Sequence, residues 1–245
     1  MYRIAKLNRI LKQVKIKYLL KNSIVQSEQP GSIIIESSVQ ISNSKIYVKT
    51  GSHLKIGKGS VLKNVFIHVD GELSIGENNI LEGGKFSKLS IYISKGAFTL
   101  GSYNRIKSKI MVRFGGLLTI GDHNNINDES EIRADERVII GDYNQISYQC
   151  VIWDTNTHTI YDDATRRELT DKHFPIFGYE YERPKTKPVT IGSDCWIGRG
   201  VSILKGVELG SSSIVGYKTI LSNCHIEERK VVVTKIDNTI FDRQD

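Results

Sequence analysis

Aliphatic side chains recur every six residues between Val189 and Cys224, at Ile191, Ile197, Ile203, Leu209, Val215 and Leu221, with Gly192, Gly198, Gly210 and Gly216 following four of them. A helix would place apolar residues at three- and four-residue spacings, and a half-buried strand at every second residue. A six-residue beat instead predicts short strands separated by regular corners. Two residues before each aliphatic stand Val189, Cys195, Val201, Val207, Ser213 and Thr219, small or β-branched, as an inward position beside a tight corner requires. The same beat runs through Leu100, Ile106 and Val112, then Ile120, Ile126 and Ile132, then Ile140, Ile146 and Ile152.

Aliphatic-glycine pairs start at Ile56, Ile75, Leu100, Ile120, Ile140, Ile191 and Leu209, spaced by 19, 25, 20, 20, 51 and 18 residues. Three hexapeptides make a coil of about eighteen residues, so spacings near twenty add corner residues and the long one adds an excursion at 153–188. The pattern predicts an all-β solenoid over 33–225 with about eight coils, roughly 38 Å long at the usual inter-strand spacing. Ahead of it, Ile4, Leu7, Leu11, Val14 and Tyr18 repeat at helical spacing among basic residues, which predicts a short amphipathic helix over 1–22. Residues 23–32 read as linker and 226–245 as a C-terminal extension.

Charge changes the picture at one end only. The formal net charge is +7, and Arg3, Lys6, Arg9, Lys12, Lys15, Lys17 and Lys21 all precede the first acid, Glu28. The N-terminal helix therefore either packs on the domain or a neighbouring subunit, or meets anionic lipid or an acidic polymer. No run of eighteen apolar residues marks a membrane span, and no motif points to nucleic acid. Three cysteines, Cys150, Cys195 and Cys224, form neither a disulfide framework nor a zinc pair, so a reducing cytoplasm is the expected setting, with the inner membrane face as a second possibility. No metal is expected.

The excursion carries Tyr161, Arg166, Arg167, His173, Phe174, Phe177, Tyr179, Tyr181 and Arg183. A long loop in a tight solenoid is usually functional, so it is expected to contact the acceptor through Tyr161, Arg166 and Arg167. His158 stands where the chain leaves the coil, and histidine titrates near the pH at which a hydroxyl proton must be removed. Asp154 or Asn156 is placed to hold its ring in one tautomer.

The stretch Pro188-Val-Thr-Ile-Gly-Ser-Asp-Cys-Trp196-Ile197-Gly198, following His158, resembles the left-handed β-helix hexapeptide-repeat acyltransferases, nearest to maltose and galactoside O-acetyltransferases and capsular sialic acid O-acetyltransferases. The resemblance covers roughly residues 100–225. It implies a left-handed parallel β-helix, a hand that the usual crossover preference would not give. It further implies a homotrimer with active sites between protomers, acetyl-CoA as co-substrate, His158 as general base and Trp196 against the coenzyme. Gly198, the backbone amide of Arg199 as oxyanion donor, and Gly216 complete that side, while Asn127 matches an acceptor contact. The family's usual C-terminal segment for the adenine end is missing, and Lys218, Arg229 and Lys230 are the expected substitutes for its phosphate contacts.

The implied activity is transfer of an acetyl group to a sugar hydroxyl of a cell-surface polysaccharide, capsule or lipopolysaccharide, or its precursor. N-acetylation of a nucleotide-linked amino sugar is the alternative on the same scaffold, and a trimeric binding or structural prism is the non-enzymatic one. A zinc hydratase would need histidines converging between subunits, and the spacings of His123, His158 and His173 do not match that pattern.

Overall fold

The structure, a computed structural model, describes residues 19–84, 88–175, 182–235 and 239–240. Short strands stack in parallel on the strands of the coils before and after them, forming a β-solenoid with three faces. Among the described residues the first face holds ten rungs, Leu19–Lys21, Gln40–Ser42, Val61–Lys63, Ile80–Glu82, Arg105–Ile106, Asn125–Ile126, Gln145–Ile146, Trp196–Ile197, Ile214–Val215 and Val231–Val232. The second face begins with Ile24–Ser27 and includes Lys109–Arg113, Glu131–Ala134, Val151–Trp153 and Ser202–Leu204. The third begins with Ile33–Ile35 and includes Leu117–Ile120, Arg137–Ile140, Val189–Ile191 and Glu208–Leu209.

The six-residue beat falls on the inward columns, except that on the second face Ile110 rather than Val112 aligns with Ile132, while Val112 is buried in register with Ala134. Ile106, Ile126, Ile146 and Ile197 line the first, and Ile110, Ile132, Ile152 and Ile203 the second. Ile120, Ile140 and Ile191 line the third, and all are buried. Because each inward residue meets its equivalent one coil away, the core is one continuous stack along the axis.

The solenoid is longer than expected. Among the described residues, nine coils and the first rung of a tenth replace the expected eight, giving a prism of about 43 Å. Residues 23–32, read as linker, instead contain a rung, since Ile24–Ser27 pairs with Lys45–Val48. The expected helix over 1–22 lies outside the described residues up to 18, and Leu19–Lys21 is a strand paired with Gln40–Ser42. At the other end Val231–Val232 pairs with Ile214–Val215, so the extension starts inside the prism.

Polar ladders fix the coil register along the edge between the third and first faces. Asn79, Asn104, Asn124 and Asn144 are fully buried there. The backbone amide of each lower residue donates to the side-chain oxygen above it, Asn104 to Asn79 at 2.8 Å, Asn124 to Asn104 at 2.7 Å, Asn144 to Asn124 at 2.9 Å and Cys195 to Asn144 at 2.8 Å. Outside them Tyr103, His123 and Tyr143 turn in the left-handed region, with φ of 61°, 58° and 58°. Their rings stack at 4.9 and 4.6 Å.

Candidate functional site

The excursion leaves at the edge between the second and third faces, after Trp153, and rejoins at Val189. Its two ends run together as a neck. Lys187 N donates to Asp154 O at 2.9 Å, Asn156 N donates to Lys185 O at 3.0 Å, and Thr155 bridges Thr186 antiparallel. Beyond the neck, helix α1 spans Asp163–His173. Asp162 caps it, accepting from the amides of Ala164 and Thr165 at 3.0 Å each, and these amides hold its carboxyl below the usual range. No residue of α1 is buried. An isolated helix this short is marginal in water, so its stability calls for a partner surface.

Charge is buried along this same edge. Arg113 donates to Asp135 twice, at 2.9 and 2.6 Å, with both side chains nearly or fully buried. One coil further, Asp154 is fully buried, and its carboxylate accepts from the amides of Asp135 at 2.8 Å and of Glu136 and Arg137 at 2.7 Å each. Burial pushes its carboxyl up from the ordinary aspartate value, helped by the neighbouring Asp135 charge, while the three amides pull the other way. Asp154 was expected to hold the His158 ring. The structure instead engages its carboxylate with the preceding coil, because the pairing of Arg133 with Trp153 sets residue 154 beside Ala134 and its buried side chain meets the amides that follow there. Asn156 was expected in the same role, and its side-chain oxygen takes a hydrogen bond from Lys205 Nζ of the following coil.

His158 is exposed, two residues beyond that contact, and Tyr161 is half-buried. Arg166 and Arg167 are exposed on α1, with Arg166 held by Asp163 at 3.2 Å. Phe177, Tyr179 and Tyr181 of the expected flap lie outside the described residues. His173 shares the arm with His158, whereas His123 sits between its two tyrosines on another edge. Those three histidines do not converge within one chain.

The remaining expected residues belong to the first face and its borders. Trp196 is 54% exposed, and around it Ile214, Val231 and Val233 leave an apolar surface open. Asn127 lies two rungs away, its side-chain amide donating to Ile146 O at 3.2 Å. Gly198 and Gly216 share Asn127's column. A side chain at Gly198 would meet Tyr217 N at 2.9 Å, and one at Gly216 would meet Val233 Cγ1 at 2.6 Å. Arg199 is exposed at the border with the second face, its Nε donating to Gln149 Oε1 at 3.0 Å. The set chosen for phosphates divides: Lys218 borders the second face and lies 5.2 Å over the Tyr217 ring, while Arg229 and Lys230 border the third. Lys230 pairs with Glu227 at 3.2 Å.

The candidate residues therefore form two groups on opposite sides of the prism. The arm leaves at the one edge that does not border the first face. From the fixed Asp154, four residues reach at most about 14 Å, whereas the path around a neighbouring face to Trp196 is roughly 25 Å at strand rise. The backbone reach from Asp154 thus falls short of the strand that carries Trp196, and the two residues leave the prism on different sides. Grooves of about 250 and 190 Å³ exist, but they lie on the early coils, lined by residues such as Ile34, Lys55 and Thr99, and Tyr47, Lys49 and His68.

Residues missed from the sequence include Lys205, Glu136 and the pair of Arg133 stacked 5.0 Å over Trp153. Only the second-face pairing of 133 with 153 would have found the last.

Fold and site together define a parallel β-solenoid with one structured arm. No protein-family model and no curated protein sequence matches the chain. Similar solved structures include the polySia specific acetyltransferase NeuO, at 18% identity and TM-score 0.42, covering 94% of this chain and 89% of that one. The polysialic acid O-acetyltransferase OatWY is 19% identical, TM-score 0.39, covering 93% and 95%. The hexapeptide-repeat containing acetyltransferase VCA0836 from Vibrio cholerae is 17% identical, TM-score 0.27, covering 98% and 82%.

Proposed function

We propose that the protein is an acetyl-CoA-dependent O-acetyltransferase acting on a sugar hydroxyl of a cell-surface polysaccharide or its precursor, on the cytoplasmic side. Its sites would lie between the chains of a homotrimer. The observation that carries this reading is the division of the candidate residues, with an exposed imidazole on a braced arm at one edge and an exposed tryptophan of a Trp-Ile-Gly strand on the opposite face. Each supplies half of a site that a three-fold arrangement completes, the arm of one chain reaching the first face of the next.

In this mechanism the thioester arm of the coenzyme lies along the apolar strip of Trp196, Ile214 and Val231. His158 removes the proton from the sugar hydroxyl as its oxygen attacks the thioester carbonyl. The backbone amide of Arg199 stabilises the tetrahedral oxyanion. Collapse expels the coenzyme thiolate, which takes the proton back from the imidazolium, and the acetyl ester remains on the sugar. Acceptor contacts come from the arm, through Tyr161 and Arg167.

The test is release of free thiol from acetyl-CoA across a panel of capsular and lipopolysaccharide glycans, followed by mass spectrometry of the product. An alkali-labile gain of one acetyl group supports the reading. An alkali-stable amide would replace it by N-acetylation, and no acetyl transfer to any glycan or amino sugar would leave a binding prism.

A further inference from the structure

As a general base on an acetyltransferase, His158 serves only if the backbone that carries it is held in place. The arm is connected to the prism by the short neck, and a neck without further contacts would let the backbone that carries His158 swing. Effective general base catalysis needs that freedom removed, because misplacement by about 1 Å costs on the order of 100-fold in rate.

Contacts with the coils on both sides remove it. Toward the preceding coil, Asp154 takes three backbone amides, and Glu136 of the same corner accepts from Thr186 Oγ1 at 2.5 Å and pairs with Arg183 at 3.6 Å. Toward the following coil, the half-buried Lys205 donates to the Asn156 side chain, and Gly206 N donates to both Lys187 O and Pro188 O at 3.1 Å. Gly206 turns with φ of 77° under the Lys187 stem, where a Cβ would meet Lys187 Cδ at 2.5 Å. Both strands of the neck are therefore fastened to both neighbouring coils.

We infer that Asp154, Asn156 and Lys205 are positioning residues for His158, fastening the base of its arm between two coils. The inference rests on the acetyltransferase reading for its rate consequence but not for its structural one. Asp154 holds the first residue of the arm, and Lys205 holds the residue two before the imidazole. Lys205 is the informative member. It lies in a turn of the next coil, 49 residues from Asn156, and its flexible stem can be replaced without emptying the core.

The experiment uses the full-length protein with Lys205→Met, Asn156→Ala and each combined with His158→Ala. Hydrogen–deuterium exchange over residues 155–159, melting temperature, and kcat and KM for acetyl-CoA are measured. Lys205→Met is expected to speed exchange over that segment at least tenfold with little change in melting. It should also lower kcat about tenfold with donor KM unchanged, and Asn156→Ala should match it. In the His158→Ala background neither change should lower kcat further, because the imidazole that they position is gone. Unchanged exchange in Lys205→Met overturns the inference, and so does a full additional loss in the His158→Ala background, which would make Lys205 act directly on substrate. If the wild-type protein transfers no acetyl group at all, the functional reading fails while exchange still decides whether the brace exists.

Discussion

Two inactive variants should make an active protein when their chains are mixed. His158→Ala removes the base on the arm, and Trp196→Ala removes the indole on the first face, so each pure variant loses every site in a different way. If a site takes its arm from one chain and its first face from the next, it works only where a Trp196→Ala chain supplies His158 and a His158→Ala chain supplies Trp196. In trimers assembled at random from equal amounts, that pairing occurs at about one quarter of the sites; a mixed trimer has it at one site of its three, so doubly tagged trimers should recover about 33% of wild-type activity at donor concentrations below KM. The pure His158→Ala variant should stand about 100–10,000-fold below wild type, the usual range for a lost general base. That background is low enough for the recovered signal to be unmistakable.

The assay is co-refolding of the two variants carrying different tags, isolation of doubly tagged trimers, and thiol release with the best acceptor. Doubly tagged trimers that stay as inactive as the parents would refute the argument from the opposite edge and face, since a site contained in one chain is broken in both variants. Recovery near 50% or above would equally refute it, because random pairing across one interface cannot supply so many complete sites.

Three further outcomes follow from other parts of the fold. Asn124→Val keeps an inward aliphatic such as Val39 carries at the equivalent corner. It strips Asn144 N and Gly141 O of bonds at 2.9 Å, so stability should fall by about 2–5 kcal/mol, and melting followed by circular dichroism by about 5–15 °C; a shift under about 2 °C would mean that water replaces the ladder. Burial pushes the thiols of Cys150 and Cys195 up, whereas Cys224 is only half-buried. Iodoacetamide at pH 8 should therefore label Cys224 first by mass spectrometry, and prior labelling of Cys150 would contradict the packing. Deleting residues 1–18, which removes six basic residues and spares the rung at Leu19–Lys21, should raise KM for an acidic polymer about tenfold at low salt. It should leave KM for a short oligomer unchanged. Loss of vesicle binding with unchanged polymer kinetics would make this segment a membrane contact instead.

The sequence made the prism legible wherever its period was clean. From Leu100 to Leu221 the six-residue beat named buried residues on all three faces, since each of those aliphatics points into the core, although the column of Ile132 continues to Ile110 and not to Val112 of the beat. The first coils escaped because spacings of 21 residues and outward polar residues such as Ser42 and Lys63 hide the beat, and the rung at Ile24–Ser27 carries too few apolar residues to separate it from a linker. Tyr103, His123 and Tyr143, like Asn104, Asn124 and Asn144, recur every twenty residues, but the aliphatic beat overshadowed that repeat, and the bonds that fill the ladders follow only from the stacking of coils. The site divides along a similar line. His158 and Trp196 were legible as chemistry because a base and a Trp-Ile-Gly strand have local signatures, but their separation follows from which edge releases the arm, and only the pairing of whole coils fixes that. Asp154 shows the limit most sharply. Its closeness in sequence to His158 suggested that it serves the imidazole ring, yet the register places it beside Ala134, so its carboxylate is bound to the backbone amides of Asp135, Glu136 and Arg137 in the coil before. A residue beside a catalytic group in a solenoid can be committed to the neighbouring coil instead, because the nearest atoms in space there lie about twenty residues away in the chain.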